Sequence, residues 1–415
     1  MVPWIRVALA LFVVGWGANQ FAPLLLVYRE GGGVAETTVT VAFAAYAAGL
    51  IPTLLVAVSV ADRVGRLPVM RVVLILSALA SAILLVGGNH APALIAGRLL
   101  AGVASGGAFG PGTAWIKEVS GPSAPGVAAR RAAISLTAGF GGGPLVAGVL
   151  GQWSPAPEAA PYAAHILLTL VITVLAWNTP ETLQSTSKTP AGPVHWRGVF
   201  RYRPFLREVA PTAPLVFGAA TTSFAILPGL VPVHGPHIAV SGGMAALTLG
   251  SGVAVQPVCH RLAARTTHAV RYAGLIAASL GLLVAAAAVF LKAPVLLVPG
   301  AVLLGACYGI LLVAGLTRIE SVAAPQHLAP AIAVFYCLTY LGFSAPYVVT
   351  ELKDVVTPAL FLVVAAAVST LLIPATASRS RTAQREAVPK PSPPAAGTGG
   401  QDVTTGQRPG GRPRS

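Results

Sequence analysis

Charge is what this 415-residue sequence has least of: 12 acidic and 27 basic residues make up only 9% of it, where a water-soluble domain carries about a quarter. So few charges cannot cover a water-facing surface. Cysteine is almost absent too. Cys259, Cys307 and Cys337 stand far apart, inside or at the end of apolar runs, which matches neither a metal-ligand spacing nor a disulfide framework and leaves them as small helix residues. No nucleophile elbow G-x-S-x-G, zinc motif H-E-x-x-H or phosphate loop G-x-x-x-x-G-K-[ST] occurs, so nothing points to an enzyme, a cofactor, a metal or ATP as energy source. His165, His234 and His237 are isolated in the sequence, and the latter two read as surface residues near a loop. Disorder and collagen are excluded by the high apolar content and the lack of a strict repeat.

What the chain has in abundance is apolar sequence, 55% of it, with a mean hydropathy of +0.76. A bilayer core of about 30 Å needs roughly 20 apolar residues of helix. Such runs fall at 4–27, 38–60, 69–88, 92–115, 129–151, 161–177, 210–232, 238–258, 269–291, 293–316, 328–349 and 356–375. They are continuous, not alternating as in a membrane β-barrel. The first is too long for a signal-peptide core and reads as the first membrane helix. The expected fold is therefore an all-α integral membrane protein of twelve transmembrane helices.

Basic residues then set the orientation. With the amino terminus inside, 16 of the basic residues before the tail fall in inner connections and only Arg29, Lys292 and Lys353 fall outside. Both chain ends are expected in the cytoplasm, and the formal charge of +15 reflects topology, not nucleic-acid binding; the basic residues of the tail either lie against anionic lipid headgroups or are simply solvated. The polar stretch 178–208 separates a first six-helix half, 1–177, from a second, 209–376. Residues 377–415, rich in Ser, Arg, Pro and Gly, read as a disordered basic tail. The halves echo each other weakly: Gly139-Phe-Gly-Gly-Gly-Pro144 in the fifth run against Gly342-Phe-Ser-Ala-Pro346 in the eleventh, and Ala61–Arg71 against His260–Arg271. Two related six-helix bundles are an arrangement of many secondary transporters.

Three strings carry chemistry. After the second run stands Ala61-Asp62-Arg63-Val64-Gly65-Arg66-Leu67-Pro68, a short reversal in which Gly65 supplies backbone freedom and the opposite charges can latch helix ends. The fourth run holds Arg98-Leu-Leu-Ala-Gly102. An arginine inside a membrane helix is expensive unless it finds partners, although this one lies only six residues, or about 9 Å, past Pro92 and either snorkels outward or turns inward. The fifth run reads Gly139-x-x-x-Gly143-Pro144-x-x-Ala147-Gly148, whose small residues are expected on one helical face for close packing, with Pro144 bending the helix.

Together these strings resemble the signatures of the major facilitator superfamily. Asp62, Arg63, Gly65 and Arg66 match its signature loop, with Val58, Val60 and Leu67 departing from it. Arg98 and Gly102 match its R-x-x-x-G. Gly139, Gly143, Pro144 and Gly148 match the G-x-x-x-G-P-x-x-G-G of the drug:proton antiporter branch, Ala147 replacing one glycine. The resemblance covers the first half in order, and the second half by span count and loose pattern. It implies alternating access, proton coupling and export of a small amphiphilic or drug-like compound, a pairing of Glu118 with the loop, an inward-facing Arg98 that influences proton transfer, and a monomer in the plasma membrane. Uptake of a small metabolite, and a non-transporting receptor or scaffold on the same fold, remain the alternatives. A substrate cavity is expected to draw on polar and aromatic residues inside the runs: Asn19, Gln20, Tyr46, Tyr308, Tyr336 and Tyr340, the last two in a 4, 3, 4 stripe with Phe343 and Tyr347. Glu30, Glu36, Asp62, Glu118, Glu158, Glu320, Glu351 and Asp354 all fall at the ends of runs or in connections, so no proton carrier is identified.

Overall fold

The computed structural model describes residues 1–31, 33–88, 90–121, 127–182, 203–263, 267–323 and 325–376. The expected tail, 377–415, and most of the connection between the halves lie outside the described residues. Within them the chain forms twelve apolar helices: α1 Pro3–Glu30, α2 Glu36–Val64, α3 Arg66–Gly87, α4 Ala91–Val119, α5 Arg130–Trp153, α6 Ala160–Ala176, α7 Phe205–Leu230, α8 His237–Leu262, α9 His268–Phe290, α10 Pro294–Val322, α11 Pro330–Leu352 and α12 Pro358–Ala375. All but α6 are long and apolar enough to cross a membrane by themselves. Large apolar side chains such as Val86, Leu167, Val174, Phe290 and Leu371 are exposed. In lipid such a surface is the solvated one, and helices are the form that satisfies every backbone group within a single segment.

The packing repeats with a period of six helices. α2 lies against α4 as α8 lies against α10, α3 against α4 as α9 against α10, and α3 against α6 as α9 against α12. Across the two sets, α5 packs on α8 and α2 on α11, which are also equivalent pairs. Close approach is purchased with glycine: a Cβ on Gly102 of α4 would stand 2.0 Å from the Tyr46 carbonyl oxygen of α2, with no flexible atom to yield. Gly102→Val is therefore expected to prevent α2–α4 packing and abolish recoverable folded protein, measured as the monodisperse fraction after detergent extraction; a normal elution profile would refute it.

Prolines break regularity in the second half. Pro228 and Pro346 lack the N–H that would bond the carbonyls of Phe224 and Gly342. Those carbonyls accept instead from the Ser241 hydroxyl (3.0 Å) and the Thr221 hydroxyl (3.0 Å). The backbone widens to π geometry at Thr222–Ile226 and tightens to 3₁₀ at Leu341–Ser344. This tightening dissolves the expected aromatic stripe on α11. Tyr340 and Phe343 are buried and Tyr336 is half-buried, whereas Tyr347, beyond the 3₁₀ turn, is exposed, because that turn advances side chains by about 120° per residue, not the α-helical 100°. Helix α7 starts at Phe205, five residues before the apolar run, so Glu208 lies in the helix and not in the connection.

Candidate functional site

The face bearing the amino terminus and the α2–α3 turn (the terminal face) carries one charge cluster in each half. In the first, Arg66 holds Asp62 at 2.6 Å and Glu118 at 3.2 Å. Gly65 turns the chain at φ 105°, a conformation that side chains resist. Glu181 completes the cluster: its carboxylate accepts from the backbone N–H groups of Arg66 (3.1 Å) and Leu67 (2.9 Å), placing negative charge on the amino end of α3, where the helix dipole favours it. Thr182 bonds Glu118. Arg63, a latch candidate by sequence, is exposed, with no ion pair among the described residues. Glu181 was not foreseen, since it lies in a polar stretch 115 residues from its partner.

The second half answers with reversed polarity. Glu208 is buried at the start of α7, 2.7 Å from Arg271 of α9 and 2.9 Å from Arg318 of α10. Arg271 also donates to the Thr376 carbonyl at the end of α12 (2.7 Å). The sequence reading missed this acid by assigning it to the connection. The available signal was a lone glutamate abutting an apolar run, opposite basic residues at two other helix ends.

At the centre, Arg98 is fully buried. It donates to the Ala18 carbonyl (3.0 Å), and its guanidinium stands 4.9, 5.7 and 4.6 Å from the ring centres of Phe21, Phe43 and Tyr46. The side chain turns inward; it does not snorkel. Two of its nitrogens, Nε and Nη2, are buried without partners. Beside it lies a cavity of about 10 Å³ open to the centre of a water molecule, lined by Asn19, Tyr46, Phe140, Phe217, Phe224, Leu249, Tyr340 and Phe343, hence room for about one water. Phe217 stacks on Tyr340 (4.6 Å) and Phe43 on Phe343 (5.3 Å). Of the expected cavity residues, Asn19, Tyr46 and Tyr340 line this space. Tyr308 packs behind Phe217 and Tyr336 against Phe335.

Gln20 departs from expectation. It follows Asn19 by about 100° on the helix and donates to Ser81 of α3 (3.0 Å), which bonds His165 Nδ1 of α6 (2.8 Å), while His165 Nε2 meets the Val13 carbonyl (3.0 Å). His165, isolated in sequence, is thus a buried node between three helices. His237, read as a surface residue, opens α8 and pairs with Glu30.

The small residues of α5 serve two faces, not one. Gly139 and Gly143 meet Phe12 and Trp16 of α1, whereas Gly148 meets Ile238 and Gly242 of α8, and the Pro144 carbonyl faces Gly242. Nine residues at 100° each bring Gly148 half a turn from Gly139. At the opposite (distal) face the halves are joined by polar contacts: Glu36 with Lys353 (2.5 Å), Glu30 with His237 (2.6 Å), and Gln152 accepting from the N–H groups of Ile238 (2.9 Å) and Ala239 (3.4 Å). Among the described residues there is no cluster of three or more metal-ligating side chains.

The family model of the Major Facilitator Superfamily matches residues 7–346. The chain belongs to the Major Facilitator Superfamily. Solved transporters share its fold at low identity. A variant of the nucleoside transporter NupG is 13% identical, with a TM-score of 0.70 over 90% of this chain and 98% of that one. A variant of the peptide transporter POT is 13% identical, with a TM-score of 0.76 over 92% and 95%. No curated protein matches the sequence. For a major facilitator the repeat of helix contacts is the expected pseudo-symmetry, and membership makes this chain a multi-pass membrane protein of a transporter family, not an enzyme.

Proposed function

We propose that this major facilitator exports a small amphiphilic or drug-like compound from the cytoplasm in exchange for protons, by alternating access of the halves α1–α6 and α7–α12 about the central aromatic cavity. The chain would act as a monomer in the plasma membrane with both termini and the connection that precedes α7 in the cytoplasm. One observation carries the alternating-access part of this reading: the polar contacts described between α1–α6 and α7–α12 gather at the distal face, while at the terminal face the described ion pairs of Arg66 and of Glu208 each join helices of one set of six. Such an asymmetry suits two halves that rock about a central site. The glycine- and proline-lined contact of α5 with α8 and the match of its string to the antiporter branch favour export.

Everted vesicles with an imposed proton gradient test it. Proton-driven accumulation of a tracer substrate inside them is expected. Accumulation only in right-side-out vesicles would replace export by uptake. Loss of cellular output, with flux intact, on deleting 377–415 would favour a scaffold instead.

The terminal latch has its own expected outcome. Asp62 is half exposed, so its pair with Arg66 contributes up to about 1 kcal/mol. Asp62→Asn should slow turnover about two- to fivefold with KM unchanged, because the pair biases conformations without touching cargo. An altered KM at constant turnover would contradict a latch.

A further inference from the structure

The lining of the central cavity also bears on which charge of cargo it takes, a question that rests on reading that cavity as the substrate site. Its polar groups are the Asn19 amide and the tyrosines Tyr46 and Tyr340; no carboxylate lines it. The one acidic side chain buried among the described residues, Glu208, is at the terminal face and already holds two arginines. A cation entering this space would leave water without an anionic partner, which is costly in a low-dielectric interior.

Aromatic faces alone can hold cations, but four of the six rings that line this space are engaged. Phe217 and Tyr340 cover each other, as do Phe43 and Phe343, and the face of Tyr46 is occupied by the Arg98 guanidinium. The nearest fixed charge is thus positive, one ring away from the cavity, and repels a second cation. Toward an acceptor the same group is attractive. Arg98 Nε and Nη2 are fully buried and unpartnered, and a buried donor left without an acceptor is an unmet demand. Tyr46 both stacks on Arg98 and lines the cavity, so a shift of this ring is the step that would open those donors to a bound carbonyl, nitro or carboxylate oxygen.

We infer that the cavity selects compounds that carry a hydrogen-bond acceptor and no positive charge, and discriminates against organic cations through Arg98 acting across Tyr46.

Three naphthalenes of one shape test this on the purified full-length protein: 2-acetonaphthone, 2-naphthoate and trimethyl(2-naphthyl)ammonium, with binding followed by equilibrium dialysis. The ketone and the carboxylate should bind at least tenfold more tightly than the ammonium compound. Asn19→Asp, which sets a carboxylate in the lining, should narrow or invert that ratio; the wild-type series decides the matter if this variant fails to fold. Equal or tighter binding of the ammonium probe by the wild type overturns charge selection and leaves export untouched. Binding unchanged by Phe217→Ala would put the probes elsewhere and overturns it as well. Failure of all three to bind overturns the cavity as the site, while proton-driven flux in everted vesicles judges export independently.

Discussion

Replacing Glu208 by glutamine is expected to lower the melting temperature of the detergent-solubilised protein by several degrees, more than any other single change of charge on the terminal face. The carboxylate is the common partner of Arg271 and Arg318, and both it and Arg271 are nearly free of solvent contact. Glutamine keeps the shape but leaves two guanidinium groups facing each other without a counter-charge. Breaking a buried ion pair from one side costs about 3–5 kcal/mol, and the low end applies because Arg318 retains some exposure. The loss is also topological, since Glu208, Arg271, Arg318 and the Thr376 carbonyl tie α7, α9, α10 and the end of α12 together. Glu208→Gln combined with Arg271→Gln should recover part of the loss, since one orphaned charge goes with its partner. Parent-like melting of the single variant would mean that water, not Glu208, solvates these arginines.

Arg98→Met should do the reverse, keeping or raising the melting temperature while abolishing proton-coupled flux. Arg98 donates to one backbone carbonyl and leans on three rings, but two nitrogens have no partner. Replacing a buried charge by an apolar side chain of similar length is often neutral or stabilising by about 1–4 kcal/mol, and Met fills irregular space well. A group that costs stability where it stands is a functional candidate. Melting curves and vesicle flux on the same preparation separate the outcomes: lost stability together with lost flux would make Arg98 a packing element, and normal flux at every pH would exclude it from coupling.

How much of this was legible beforehand depended on distance along the chain. Asp62 and Arg66 are four residues apart across a turn that Gly65 permits, so their pairing follows from the local string. Glu118 could be joined to them only by family resemblance, and Glu181 not at all, because its function is to cap a helix that starts 115 residues earlier. Glu208 was lost by a boundary error of five residues. An apolar run marks where a helix crosses hydrocarbon, and α7 begins before that, in π geometry ahead of Pro214. Asn19 and Gln20 were foreseen as a pair, yet adjacent residues on a helix cannot face the same space. The structure turns one toward the cavity and the other toward Ser81.

By itself the sequence determined that this chain lives in lipid, how many times it crosses, and where its charges gather, because these follow from the hydropathy and length of each run taken alone. Only the tertiary structure decided which way each helix is rotated: Arg98 inward, the α5 glycines split between α1 and α8, His165 at a three-helix node. The physical reason is that a membrane helix is apolar on every side, so it lacks the polar stripe that reports orientation in water. Its rotation is set by the shape and hydrogen bonds of neighbours that the linear order does not reveal.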